Sequence, residues 1–323
     1  MYFNNSNNFF HGIMFHHFHD NGIHTKGQGS IDKDDFYKMI NFIGRNNILD
    51  ADVFYEKFKN NNLKNNDVCL TFDDAIKCQI DIALPILEEL KIKSFFFVYT
   101  SIFQGKPDNL EFFRYFRMNY FKSVDEFYDF FYEVLDKDLE SFFEKKSITI
   151  EDTKIKFPHY SISDIKFRLV RDVFLTKAQY EDTMFLMFKE KQFNHSDFSK
   201  KLFFQKNDLQ TLDNLGHLIG LHSHNHPTLL EKLSYDEQKN EYENCLSSIS
   251  DILDKPKNEI KCMSHPCGSY NDDTLQILRE LGIDLGFKQI MTIEPEKGMK
   301  KINNSFLEIA RQDHAYIFKR MNL

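Results

Sequence analysis

The sequence predicts an α/β fold built on a parallel sheet and interrupted by a long helical block. Three observations carry that reading. Apolar runs of strand length, Gly12–Phe18, Val68–Phe72 and Ser94–Tyr99, alternate with segments of helical spacing. The joins between them are short, as in βαβ units. Between Asp108 and Gln205 that rhythm stops, with no glycine and Pro158 as the single proline.

The first run, GIMFHHF (Gly12–Phe18), is apolar and ends in histidines, as a strand running out to a sheet edge. In Ser30–Ile43, the residues Ile31, Phe36, Met39, Ile40 and Ile43 recur at helix-like intervals. VCLTF (Val68–Phe72) is a second strand, Ile76–Leu90 an amphipathic helix, and SFFFVY (Ser94–Tyr99) a third strand. In the block 107–205, Ser123 with Glu126 and Thr176 with Gln179 have capping-box spacing, each ahead of apolar residues at helical intervals. This predicts a Phe-rich helical insertion that packs on itself, with a lid over a site as the alternative. The βα pattern returns at Leu209. Gly216–Leu221 and Glu259–Met263 read as strands, and Ser234 with Glu237 caps a helix running to about Leu253. Asp272–Leu281 reads as a helix ended by Gly282, with Asn271 and Asp272 at its cap, and Leu307–Ala310 as a late strand. The domain reading is therefore an α/β body from 1–106 and 206–323, with 107–205 inserted.

Bulk composition narrows the function. The chain has 323 residues and 41% apolar side chains, enough for a sizeable core, which 35 Phe and no Trp make aromatic. The net charge of −8 gives no overall footprint for nucleic acid. The N-terminal segment lacks the basic start of a secretory leader, and no stretch approaches the roughly 20 apolar residues of a membrane helix. Five cysteines, an odd number without a CxxC pair, fit reduced thiols and a cytoplasmic location. Oligomeric state is not legible.

Two stretches carry chemistry. In CLTFDDA, Asp73 and Asp74 follow the end of a buried strand. Neighbours on an extended chain point to opposite sides, so the two carboxylates need different partners. In LHSHNHP, His222 and His226 lie between Gly220 and Pro227, which favours a loop leaving a strand end. Two imidazoles and one carboxylate are a common ligand set for a catalytic divalent metal, and the adjacent acids can supply the carboxylate. Both stretches converge if their strands end at one edge of a parallel sheet or barrel.

TFDDA, GHLIGLHSHNH and HPCGSYND, in that order and each led by a strand, resemble the motifs of the polysaccharide deacetylases of the NodB-homology group, carbohydrate esterase 4. The opening GIMFHHF resembles the first strand of one subgroup. The resemblance covers roughly 11–105 and 209–313 and leaves the helical block outside. It implies a distorted (β/α) barrel and metal-assisted removal of an N-acetyl group from an amino sugar or glycan precursor, in surface polysaccharide biosynthesis. By the same resemblance Asp73 is the catalytic base, and Asp74, His222 and His226 hold the cation, Zn²⁺ in the first place and Co²⁺ or Ni²⁺ otherwise. The backbone N–H of Cys267, after Pro266, corresponds to the oxyanion donor, and Arg311 to an arginine that orients the base. Ala75 stands where a glycine is common. Ser264 and His265 stand where motif three often begins with an arginine, and no Leu-x-His near the C-terminus supplies the acid. His16, His314, His224 and His265 are the candidates for that acid, His16 first because its strand should end at the same face. The other N-terminal histidines, His11, His17, His19 and His24, read by default as surface residues. The alternatives are a non-catalytic carbohydrate-binding protein on the same fold, and a metal-dependent hydrolase of another amide or ester.

Overall fold

The computed structural model describes residues 2–4, 7–27, 29–156, 161–291 and 306–321; Pro158 lies outside them. The chain divides into two compact units, Met1–Asp108 with Ser199–Leu323, and Asn109–Phe198.

The first unit is a parallel sheet of seven strands: β1 (His11–Phe15), β2 (Val68–Phe72), β3 (Phe95–Val98), β4 (Leu218–Leu221), β5 (Cys262–Ser264), β6 (Leu285–Phe287) and β7 (Arg311–Asp313). The order is β6-β5-β4-β3-β2-β1-β7, with every pair parallel. The segment leading into β7 pairs with β6 through a parallel Phe287–Ile309 bridge, and Gly12 N–H donates to the Ala310 carbonyl on the other side. The sheet thus bends round into a nearly closed barrel, as the family resemblance implied. Close approach of strands demands small residues at two points. A Cβ on Gly220 would lie 2.5 Å from the Cys262 carbonyl oxygen, and one on Gly286 2.7 Å from the Leu307 backbone.

The run of phenylalanines in β3 divides by strand alternation. Phe95 and Phe97 join Cys69, Cys262, Leu285, Phe287 and Ile309, side chains from strands around the ring, in one buried cluster that fills the barrel. Phe54 and Phe58 of the helix Ala51–Lys59 belong to the same cluster. Ala51 N–H donates to the Lys93 carbonyl, just before β3. This helix therefore closes the N-terminal end of the barrel and leaves the C-terminal end for chemistry. Phe96 faces the other way and stacks on Phe72, centroids 4.7 Å apart. Phe72 also meets Phe15, Phe18 and Phe36, the last from the helix Lys33–Ile43. Burying one such ring stabilises by roughly 1.5–3 kcal/mol.

Several elements differ from the sequence reading. The late strand lies at Arg311–Asp313 rather than Leu307–Ala310, because backbone pairing to β1 continues past the apolar residues. The strand expected from Glu259 starts at Cys262, after a 3₁₀ turn at Lys257–Glu259. The helices Ala51–Lys59, Lys206–Asn214 and His314–Met321 add to those read from spacing. His11, His19 and His24 are buried, not on the surface. Tyr2 Oη lies 2.5 Å from His11 Nε2, Ser30 Oγ 3.0 Å from His19 Nδ1, and Asp81 Oδ2 2.8 Å from His24 Nε2. Partners nine, eleven and 57 residues away leave no periodic pattern.

The second unit is helical and aromatic. Phe116 packs on Phe188 at 4.7 Å, Phe188 on Phe193 at 4.6 Å, and Phe131 on Phe167 at 5.0 Å. Thr176 and Gln179 form a complete capping box for the helix Lys177–Glu190. Ser123 caps Val124–Leu135 by accepting from Glu126 N–H, while the Glu126 carboxylate accepts from Lys122 N–H instead.

Candidate metal centre

Parallel strands deliver their C-terminal ends to one edge, and each motif lies just past such an end. His16 follows β1, Asp73 and Asp74 follow β2, His222 follows β4, and Ser264 ends β5. Turning the chain sharply there requires unusual backbone. Among the described residues ten non-glycines have positive φ, and five of them are here: Asp74, Ala75, Ser223, His226 and Cys267. Left-handed backbone at such residues costs of order 1–3 kcal/mol each and persists only where surrounding contacts enforce it. Ala75, with φ of 52°, occupies a conformation that glycine adopts without strain.

The structure brings Asp74, His222 and His226 together. Asp74 Oδ1 lies 3.2 Å from His222 Nε2 and 3.3 Å from His226 Nε2. Nδ1 of His222 lies 2.7 Å from Ser264 Oγ and 2.9 Å from the Ser264 carbonyl oxygen; with the hydroxyl proton given to Asp73 Oδ1, both oxygens accept, so Nδ1 carries the proton and Nε2 keeps its lone pair. Nδ1 of His226 faces a carboxylate oxygen of Asp108 at 3.3 Å, with the same consequence. Two lone pairs and a carboxylate oxygen thus converge with no proton to share. Asp74 Oδ1 is accordingly sealed from solvent with no hydrogen-bond partner. A cation resolves that conflict. Ligands bound at about 2.0–2.1 Å in tetrahedral geometry lie about 3.3 Å apart, so the two carboxylate–imidazole spacings are those a small divalent cation would set. Without a cation, imidazole protons take its place: burial alone would raise the Asp74 carboxyl, but protonated His226 first, then His222 and His16, hold it well below the ordinary carboxylate range, as Asp74 and Asp108 hold the His226 imidazole well above its own against burial.

Asp73 points elsewhere, as strand geometry requires. Its Oδ1 accepts from Arg311 Nη1 and its Oδ2 from Nη2, both at 2.7 Å. Arg311 is itself fully buried, donating from Nε to the Lys288 carbonyl and from Nη1 to Thr71 Oγ1. Ser264 Oγ adds a third donor to Asp73 Oδ1 at 3.2 Å, and Gln79 Nε2 pins the Asp73 carbonyl at 2.6 Å. Burial pushes the Asp73 carboxyl up, but Arg311, and then His222, outweigh it and keep the group below its ordinary value.

His16 Nε2 lies 3.9 Å from Asp74 Oδ2, and the side chain is partly exposed at the rim. The other three histidines considered for the acid are engaged elsewhere. His314 has Nε2 at 2.7 Å from the Gly29 carbonyl oxygen and Nδ1 at 3.2 Å from that of Met14. His224 Nδ1 meets Thr100 Oγ1 at 2.8 Å. His265 stacks on Tyr270 at 4.0 Å and donates to the Leu307 carbonyl; burial pushes its pKa down to about 3. Cys267 sits exposed in the turn Pro266–Gly268, and the backbone donors of that turn are Gly268 and Ser269, not Cys267. Asn271 caps the next helix through Thr274.

Gln79 and Asp108 have no part in the sequence reading, and Ser264 enters it only as a departure from the motif. Ser264 stands where an arginine is common and lies beside both Asp73 and His222, so the motif pointed at the position but not at a serine's role. Asp108 is 118 residues from His226 and no spacing signals it.

Residues 172–286 match the sequence model of the polysaccharide deacetylase family. No curated protein matches the chain. Among solved structures, the Streptococcus pyogenes deacetylase PplD in complex with acetate superposes with a TM-score of 0.55 at 16% identity over 97% of both chains. IcaB from Ammonifex degensii gives 0.53 at 12% identity, again over 97% of both chains. A de-N-acetylase from Aggregatibacter actinomycetemcomitans gives 0.54 at 12% identity over 97% of this chain and 99% of that one. Over residues 172–286 the sequence is similar to the polysaccharide deacetylase family, and over nearly its whole length the chain shares the fold of these solved deacetylases.

Proposed function

We propose that the protein is a metal-dependent deacetylase that hydrolyses an N-acetyl group on an amino sugar or glycan precursor, in surface polysaccharide biosynthesis. The observation that carries the reading is the sealed, unpartnered Asp74 Oδ1 facing two imidazole lone pairs, with a second carboxylate held apart by Arg311. Asp74, His222 and His226 hold the cation. A divalent metal there supplies Lewis acidity, which lowers the pKa of water and polarises a carbonyl oxygen. Asp73, kept ionised by Arg311, accepts the proton of the attacking water. The Cys267 N–H donates to the oxyanion that develops on the acetyl oxygen. His16 returns a proton to the departing nitrogen. The amide C–N bond breaks, water's oxygen stays on the acyl carbon, and acetate and a free amine leave.

The test is acetate release from N-acetylglucosamine oligomers by the Zn²⁺-loaded protein and by Asp73→Asn. Release by the wild type and at least a hundredfold loss in the variant, with metal retained, is the expected result. Absence of acetate from N-acetylated sugars and oligosaccharides alike would overturn the reading, and equal turnover by Asp73→Asn would remove that residue from its role.

A further inference from the structure

The two histidines at the cation site are oriented by different chemistry. His222 sets its Nδ1 against two neutral groups of Ser264, the hydroxyl at 2.7 Å and the backbone carbonyl at 2.9 Å. His226 sets its own against a carboxylate, that of Asp108. Nothing in the motifs requires this. Asp108 follows Pro107 at the end of the first unit's N-terminal segment, where the chain passes into the helical unit. Its side chain is largely sealed, 8% exposed, and its N–H donates to Tyr99 Oη at 3.2 Å. The Tyr99 ring lies against the His226 imidazole, centroids 5.3 Å apart. From the other side, Ser223 Oγ accepts the His226 N–H at 3.1 Å and helps fix a backbone with φ of 55°. His226 is thus held at its main chain, on its face and at Nδ1.

We infer that Asp108 is a positioning residue for the metal: it fixes His226 as the Nδ1–H tautomer, presents Nε2 toward Asp74, and places a carboxylate behind that ligating imidazole. The inference rests on the proposed metal dependence. A carboxylate behind a ligating imidazole raises the basicity of the ligand, and losing such a partner typically costs about 10–100-fold in metal affinity.

The experiment strips metal from the full-length protein and measures Zn²⁺ affinity by competition with a chromophoric chelator. Wild type, Asp74→Ala, Asp108→Ala and Asp108→Asn are compared, with thermal unfolding to verify folding. Asp108→Ala should bind about 10–100-fold more weakly. Asp108→Asn retains an acceptor but not the charge, so it should fall between Asp108→Ala and wild type; it decides the matter if the alanine variant does not fold. Long-range ¹H–¹⁵N spectra of the metal-free protein, recorded at a pH where His226 carries a single ring proton, supply a readout that a packing role would not move. The His226 proton should sit on Nδ1 in the wild type and leave it in Asp108→Ala. Affinity within twofold of wild type in the folded variants, or an unchanged tautomer in Asp108→Ala, would overturn the inference. Failure of the wild type itself to bind Zn²⁺, or binding unaffected by Asp74→Ala, would instead overturn the metal site.

Discussion

Both carboxylate oxygens of Asp73 are engaged by the two terminal nitrogens of Arg311, each at 2.7 Å, and both side chains are almost wholly buried. A forked guanidinium matches a carboxylate in a way that a lysine ammonium cannot. Arg311→Lys should therefore raise the Asp73 pKa, because the cation that holds it down binds less well. A base works only when ionised, so the acid limb of kcat/KM should move to higher pH in the variant, with activity lost first under acidic conditions. Profiles of kcat/KM between pH 5 and 9 would show it; coincident limbs would detach Arg311 from the base. Removing the cation altogether, as in Arg311→Met, leaves a buried charge unpaired and should destabilise the fold by about 3–5 kcal/mol.

His16 stands beside Asp74 at the rim, where a leaving amine would emerge. His16→Gln should lower kcat by about 10²–10⁴ while leaving Zn²⁺ affinity within a few fold. Turnover and chelator competition on the same preparation test both parts. Unchanged kcat would hand the protonation step to another group.

In the proposed reaction Cys267 acts through its backbone N–H alone, so its thiol should be dispensable. Cys267→Ala keeps the N–H and should retain kcat within about twofold, since a lost oxyanion donor costs about 10²–10³. A loss of that size in the alanine variant would mean that the sulfur takes part.

Burial pushes His11 down to about 4 and His265 down to about 3, against an ordinary value of 6.5. Between those values and 6.5 the unfolded chain binds protons that the folded chain refuses, so stability falls as pH falls through that window. A shift as large as that of His11 corresponds to about 3 kcal/mol at most. Urea unfolding of the metal-free protein at pH 7.5, 6 and 5 should show the decline, and His11→Gln should flatten it. Equal slopes in the two proteins would show that His11 titrates normally.

The parts of this structure that were legible are those written locally. The strand Val68–Phe72 is a short apolar run that ends in two acids, and the helix Tyr235–Leu253 begins with a complete capping box. The helix Ala51–Lys59 was not read, because nine residues with apolar side chains at 51, 54 and 58 give too short a pattern. The metal-site triad was legible as chemistry because each member sits in a stretch whose neighbours betray a strand end. Which acid turns toward the histidines came from family resemblance rather than spacing, since alternation says only that the two differ. The orienting shell was not legible. Ser264 and Asp108 act through contacts set by barrel closure, and neither carries a local mark of a partner more than a hundred residues away; Gln79 pins the Asp73 carbonyl from a helical segment whose spacing gives no sign of that contact.

The central claim is that Asp74, His222 and His226 bind one divalent cation. Anomalous diffraction at the zinc edge from crystals grown with Zn²⁺ tests it most directly. A single strong peak within about 2.0–2.2 Å of Asp74 Oδ1, His222 Nε2 and His226 Nε2 is predicted, with Asp73 still on Arg311. Full-occupancy zinc elsewhere with none between these three atoms, or no zinc at all, would contradict it.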